Sequence, residues 1–174
     1  CSPYLPDWFK RSALLYMRHE AIDPQFFVRN RERLLENLKP NSLVVIHAND
    51  IFPTNADGTM AFRQNNDLFY LTGIDQEETV LILSPDAVLQ EDRAILFVRE
   101  TSEQIAIWEG EKLTKEQATE ASGMKNIQWV DAFEPAFRRL ALQAENIYLH
   151  TNEYAAASEI VETRNRRFIR RCQE

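Results

Sequence analysis

Apolar residues recur along this chain in two rhythms that alternate: short unbroken aliphatic runs, and stripes spaced three or four residues apart. The runs Leu43-Val44-Val45-Ile46-His47, Thr79-Val80-Leu81-Ile82-Leu83 and Ala94-Ile95-Leu96-Phe97-Val98 predict strands, the first of them buried on both faces. Leu68-Phe69-Tyr70-Leu71 predicts a further strand, joined to the second run by a turn at residues 73–78. Residues 127–130 and Ile147-Tyr148-Leu149 complete the set. Helical spacing begins at Asp23-Pro24, where an acidic cap precedes a proline whose missing N–H costs nothing. Phe27, Leu34 and Leu38 then share a face, with Arg29, Arg31 and Arg33 mostly elsewhere, and Lys39-Pro40-Asn41 ends the stretch. Thr114-Lys115-Glu116-Gln117 is a capping box and Gly123 its stop. Phe133, Phe137, Leu140, Ala141 and Ala144 trace another amphipathic helix, and Asn152 is a candidate cap for a last helix towards Arg171.

Strands alternating with helices imply an α/β single domain: a mixed five- or six-stranded sheet with helices on its faces. Residues 1–21, with a mixed apolar and basic segment at 4–19, are expected to be an extension preceding a domain over 22–174. The 49–66 stretch is polar, contains Pro53, Asn55, Asp57 and Gly58, and is long for a plain connection, which marks it as a functional loop.

Composition narrows the partners. A hydrophobic content of 44% over 174 residues suffices for one core. A net charge of −7 disfavours nucleic acid and anionic membrane surfaces as partners, and the apolar runs fall far short of the roughly 20 residues that span a bilayer. The two cysteines, Cys1 and Cys172, have no metal-ligand spacing, so a reducing cytoplasm is the expected location. Arg164, Arg166, Arg167, Arg170 and Arg171 crowd one stretch; spread around a helix they predict a solvated surface, with an anion site as the alternative.

The search for catalytic chemistry yields no candidates. His19, His47 and His150 are far apart and form no HExxH pattern, and no nucleophile elbow, Walker loop or dinucleotide fingerprint is present. His47 and His150 are read as structural, and Asp75, Glu77 and Glu78 as a solvated acidic turn. No catalytic residue and no metal ligand is assigned. One segment stands out: in Phe62-Arg63-Gln64-Asn65-Asn66-Asp67-Leu68-Phe69-Tyr70, hydrogen-bonding side chains run straight into aromatics. That mix suits a recognition edge, in which amides fix orientation and rings supply apolar contact.

This segment, continued by Leu71-Thr72-Gly73, an acidic turn and the strand at 79–83, resembles the amino-terminal signature of the aminopeptidase P family. Phe27-Val28-Arg29-Asn30-Arg31, Asn55-Ala56-Asp57, the strand at 94–99 and Trp108-Glu109-Gly110-Glu111-Lys112-Leu113 are similar to other parts of the same signature, in order, over roughly residues 22–165. The resemblance implies the creatinase/prolidase amino-terminal fold. It further implies a non-catalytic domain that supports assembly of a homo-oligomer and narrows the entrance for a peptide substrate. The partner it implies is the chain's own carboxy-terminal catalytic domain, a pita-bread metallopeptidase with two divalent metals, usually manganese. That domain would release the first residue of peptides with proline second. Phe69 falls where relatives often carry a Trp that reaches a neighbouring subunit's pocket; with Tyr70, Arg63, Gln64 and Asn66 it forms the expected substrate-access set. Phe retains the apolar wall and loses the indole donor. A stand-alone peptide-binding module akin to the inactive pita-bread proteins, and the amino-terminal domain of a creatinase or prolidase, are the alternatives.

Overall fold

The computed structural model describes residues 22–102, 112–151 and 162–174. Helix α1, Pro24–Leu35, starts where expected: Asp23 accepts from the Gln25 amide at 2.9 Å and Pro24 occupies the first turn. Strand β1, Ser42–His47, is buried along its whole length, because it lies inside the sheet and both faces are covered. The other strands are β2 (Val80–Leu83), β3 (Ala94–Val98), β4 (Asn126–Trp129) and β5 (Asn146–Leu149). The further helices are α2 (Asn66–Thr72), α3 (Lys115–Ser122), α4 (Phe133–Ala141) and α5 (Arg164–Gln173).

The described strands form one five-stranded sheet in the order β4-β3-β2-β1-β5. β1, β2 and β3 pair antiparallel, with Val44 opposite Leu83 and Val80 opposite Phe97. The edge strands run parallel to their neighbours, Leu43 beside Ile147 and Leu96 beside Ile127. The sheet is therefore mixed, as the alternating pattern predicts.

Period-two alternation divides the strand residues between two cores. Val44, Ile46, Leu81, Leu83, Leu96 and Val98 face α1, α2 and α3, meeting Leu34, Leu68, Leu71 and Ala118. Leu43, Val45, Val80, Ile82, Ile95 and Phe97 face α4 and α5, meeting Phe133, Leu140 and Phe168. The result is a three-layer α/β/α domain. The box at Thr114 is present in full, and Gly123 closes α3 in the left-handed region at φ 68°.

Four expectations need correction. Leu68-Phe69-Tyr70-Leu71 is a helix, because Asn65 caps the Asp67 and Leu68 amides at 2.9 and 3.1 Å while Gly73, at φ 70°, terminates the turn. Arg31 is buried, with its guanidinium donating to the last-turn carbonyls of two helices, Leu71 O at 2.6 Å and Ser122 O at 3.0 Å. Leu38 follows α1 in a bend, still packed on the core. Glu77 and Glu78 are ion-paired, to Lys112 and Arg99, rather than merely solvated. The expectations for residues 1–21, Trp108-Glu109-Gly110 and the Asn152 cap lie outside the described residues; α5 is capped by the Thr163 hydroxyl.

Candidate substrate-access site

The segment from Arg63 to Tyr70 divides into side chains that build the site and side chains that it presents. Gln64 builds. Its amide donates to Ile74 O at 3.1 Å and Gln76 O at 2.8 Å while its oxygen accepts from the Asn65 amide at 2.8 Å, which clamps the turn after α2 against the loop before it. Asn65 is buried as the α2 cap. Asn49 ties the base of the long loop by donating to Arg63 O at 3.1 Å. The loop itself folds back at Asn55-Ala56, with Thr54 N–H donating to Gly58 O at 2.8 Å and Met60 N–H to Phe52 O at 2.8 Å.

Arg63, Asn66 and Tyr70 are exposed. Asn66 precedes Phe69 by three residues and Tyr70 by four, so the three share one side of α2. The structure thus brings Asn66, Phe69 and Tyr70 together, leaves Arg63 on the approach to them, and assigns Gln64 to the scaffold. Phe69 is half-buried, its ring meeting Phe27 edge-on at 6.1 Å; Phe27 meets Phe26 at 5.5 Å, and Phe26 meets Tyr70 at 6.0 Å. Two members of this row, Phe26 and Tyr70, are 39% and 47% exposed, so the α1–α2 junction presents aromatic surface to solvent.

Asn30 and Arg31, to which the sequence reading assigned no role, and His150, which it read as structural, hold that surface in place. Asn30 donates to Tyr70 O at 2.8 Å and Arg31 to Leu71 O, so α1 fastens the last turn of α2 from consecutive positions. Burial drives the Arg31 pKa down to about 10, still charged at neutral pH, so its donors stay available to the orphan carbonyls. His150 pairs through Nε2 with Asp67 at 2.5 Å and through Nδ1 with Asn165 at 2.9 Å, linking the start of α2 to α5. The detectable signal for Asn30 and Arg31 was their adjacency inside the Phe27-to-Arg31 motif; the packing partners themselves lie 40 residues away. No three His, Cys, Asp or Glu side chains stand together as a metal site among the described residues, and no described helix is long and apolar enough to cross a membrane.

Comparison with known proteins bears directly on this arrangement. Residues 27–148 match the family model described as aminopeptidase P, N-terminal domain. The chain is 31% identical over 142 residues to an Xaa-Pro aminopeptidase of Escherichia coli, covering 80% of this chain and 32% of that protein. It is 34% identical over 105 residues to Xaa-Pro aminopeptidase 3 of Dictyostelium discoideum, covering 60% and 20%. Among solved structures, an Escherichia coli aminopeptidase P variant in complex with substrate superposes with a TM-score of 0.67 at 29% identity, covering 78% of this chain and 31% of that one. An aminopeptidase P-like structure from Bacillus anthracis shares the fold, with a TM-score of 0.72 at 23% identity, covering 87% and 36%. The chain therefore spans about a third or less of the length of these relatives by sequence.

Proposed function

The chain belongs to the aminopeptidase P N-terminal domain family, and we propose that it serves as the non-catalytic amino-terminal domain of an Xaa-Pro aminopeptidase, shaping substrate access and supporting oligomer assembly. The parent would release the first residue from peptides with proline second. What carries this reading is the family match over residues 27–148 together with relatives that extend well beyond the matched region. The substrate-access role falls to the exposed side of α2: Phe69 and Tyr70 supply apolar wall, Asn66 and Arg63 supply polar contacts to a peptide end, and Gln64 holds the turn that positions them.

Residues 22–174 constitute the domain and 1–21 precede it; a core that runs from Phe27 to Phe168 supports the first boundary. Its partners are a carboxy-terminal catalytic domain, further copies of itself and the peptide substrate. Two divalent ions, manganese in this reading, belong to the catalytic domain, where they would polarise the scissile carbonyl. The described residues do not fit such a site, having no cluster of ligating side chains, so no hydrolytic step is assigned to them. A cytoplasmic location accords with the free thiol of Cys172.

The test is peptidase activity on an Xaa-Pro peptide with added manganese, comparing the 174-residue chain with the full-length gene product. Turnover by the longer protein and none by the chain alone is expected. Metal-dependent turnover by the 174-residue chain would overturn the reading.

A further inference from the structure

On the face of the sheet opposite α2, α5 and α4 line an open cleft of about 670 Å³ beside the last residue of β1, His47. His47 is 3% exposed and lies edge-on to Phe133 and Phe168, at 5.3 and 4.6 Å between ring centres. Neither of its ring nitrogens has a hydrogen-bond partner among the described residues. Buried polar atoms are nearly always satisfied, so two orphaned nitrogens in a residue that lines the cleft mark a place where a hydrogen-bonding partner is missing.

The cations around the cleft are not equivalent. Arg167 pairs with Asp50 at 2.6 Å, Arg170 with Glu162 at 3.1 Å and Arg171 with Glu134 at 2.5 Å. Arg164 also lines the cleft; burial lowers its pKa, while Glu78 and Asp50, the acidic groups that act on it, form no ion pair with its guanidinium among the described residues. The start of α5 offers no alternative attraction, because Asp50 already accepts from the Arg164 amide at 2.7 Å and Thr163 from the Arg166 amide. Arg164 and His47 therefore line one cleft together with Phe133 and Phe168.

We propose that this cleft is an oxyanion-binding site, in which Arg164 and His47 receive a phosphate or carboxylate group. A guanidinium fork matches either anion, and an imidazolium adds a second charged donor. Burial, then Arg164 and Arg171, hold the His47 ring neutral, with its pKa near 3. The other charged groups around the site are Arg167, Arg170 and Glu174 on α5, Glu134 on α4, Glu78, which acts on Arg164 and pairs with Arg99, and Asp50, which follows β1 and is held by Arg167. An anion between Arg164 and His47 reverses that balance and draws a proton onto the ring, so binding strengthens as pH falls. The site is separate from the α1–α2 surface and stands whether or not the access role does.

The experiment is thermal unfolding of the 174-residue chain in chloride, inorganic phosphate and acetate at matched ionic strength near pH 6. Phosphate, acetate or both should raise Tm by several degrees over chloride, the effect should vanish in Arg164→Gln, and it should persist in Arg166→Gln, which lies outside the cleft lining. A response to phosphate alone assigns the site to a free phosphate group; a response to acetate alone assigns it to a carboxylate. No response to either anion, or an undiminished response in Arg164→Gln, overturns the proposal. Should Arg164→Gln fail to fold, the His47 imidazole titration followed by NMR in the unaltered chain decides: either anion should raise its midpoint, and midpoints equal to that in chloride overturn the proposal.

Discussion

Acid should destabilise this domain through His47 in particular, with a magnitude set by its burial. In the folded chain the ring sits between Phe133 and Phe168 and its pKa falls to about 3, from an ordinary 6.5. The unfolded chain therefore binds the proton first as pH drops. Stability referred to this group is fully present above 6.5 and is lost progressively down to about 3. Between pH 7.5 and 4.5 the loss is about 3 kcal/mol, from roughly two pKa units at 1.36 kcal/mol each. Other acid-labile contacts contribute as well, such as Asp50 with Arg167 and Asp92 with Arg139. A His47→Leu variant retains those contacts and a comparable apolar volume but cannot take up a proton, so the difference between the two proteins isolates the ring. Urea unfolding of both at the two pH values, with chloride as the dominant anion, measures it. The unaltered chain should lose about 3 kcal/mol more than His47→Leu over that interval. Equal losses, or an NMR titration of His47 with its midpoint near 6.5, would refute the reasoning.

Four further outcomes follow from the same geometry. Gly73→Ala places a methyl 2.3 Å from the Phe27 ring at a backbone φ of +70°, and should cost roughly 2–4 kcal/mol by denaturant midpoint. Gly123→Ala places a methyl 2.9 Å from Val28 Cγ2 and 3.5 Å from Pro24 at a φ of +68° and, with a single close contact, should cost less, roughly 1–3 kcal/mol. Asn65→Ala removes the cap from the Asp67 and Leu68 amides and should lower stability by about 1–2 kcal/mol, again by denaturant unfolding. In the full-length parent, Phe69→Ala and Tyr70→Ala should each reduce kcat/KM on short Xaa-Pro peptides. Kinetics unchanged in a variant that folds normally would remove that residue from the access surface.

How far the candidate site could be read beforehand depended on the range of the interactions involved. The exposure of Arg63, Asn66 and Tyr70 accords with the segment's mixture of amide and aromatic side chains, which is itself a local signal. Gln64 belonged to the same mixture, yet its partners, Ile74 O and Gln76 O, are reached only once the chain doubles back. The helix at Asn66–Thr72 was misread as a strand because a short apolar run carries no decisive period; Asn65 before it and Gly73 after it were the cues that should have outweighed the run.

Local chemistry in the sequence determined the start of α1 at Asp23-Pro24, both ends of α3, and the β-branched and aliphatic runs that became β1, β2 and β3. Each of these depends on neighbours within a few residues. Only the tertiary structure decided which strands sit side by side, placing β5 parallel to β1 across about a hundred residues of chain. It likewise set the fate of Arg31 and His47, a charged and a titratable side chain that local pattern assigns to surface or generic core. Arg31 is held inside because two helix ends converge on it with unpaired carbonyls, and His47 is kept neutral because Phe133 and Phe168 arrive from elsewhere to exclude water from its ring. Burial is a property of what packs against a residue, and that is fixed by the fold as a whole rather than by the residue's own neighbours along the chain.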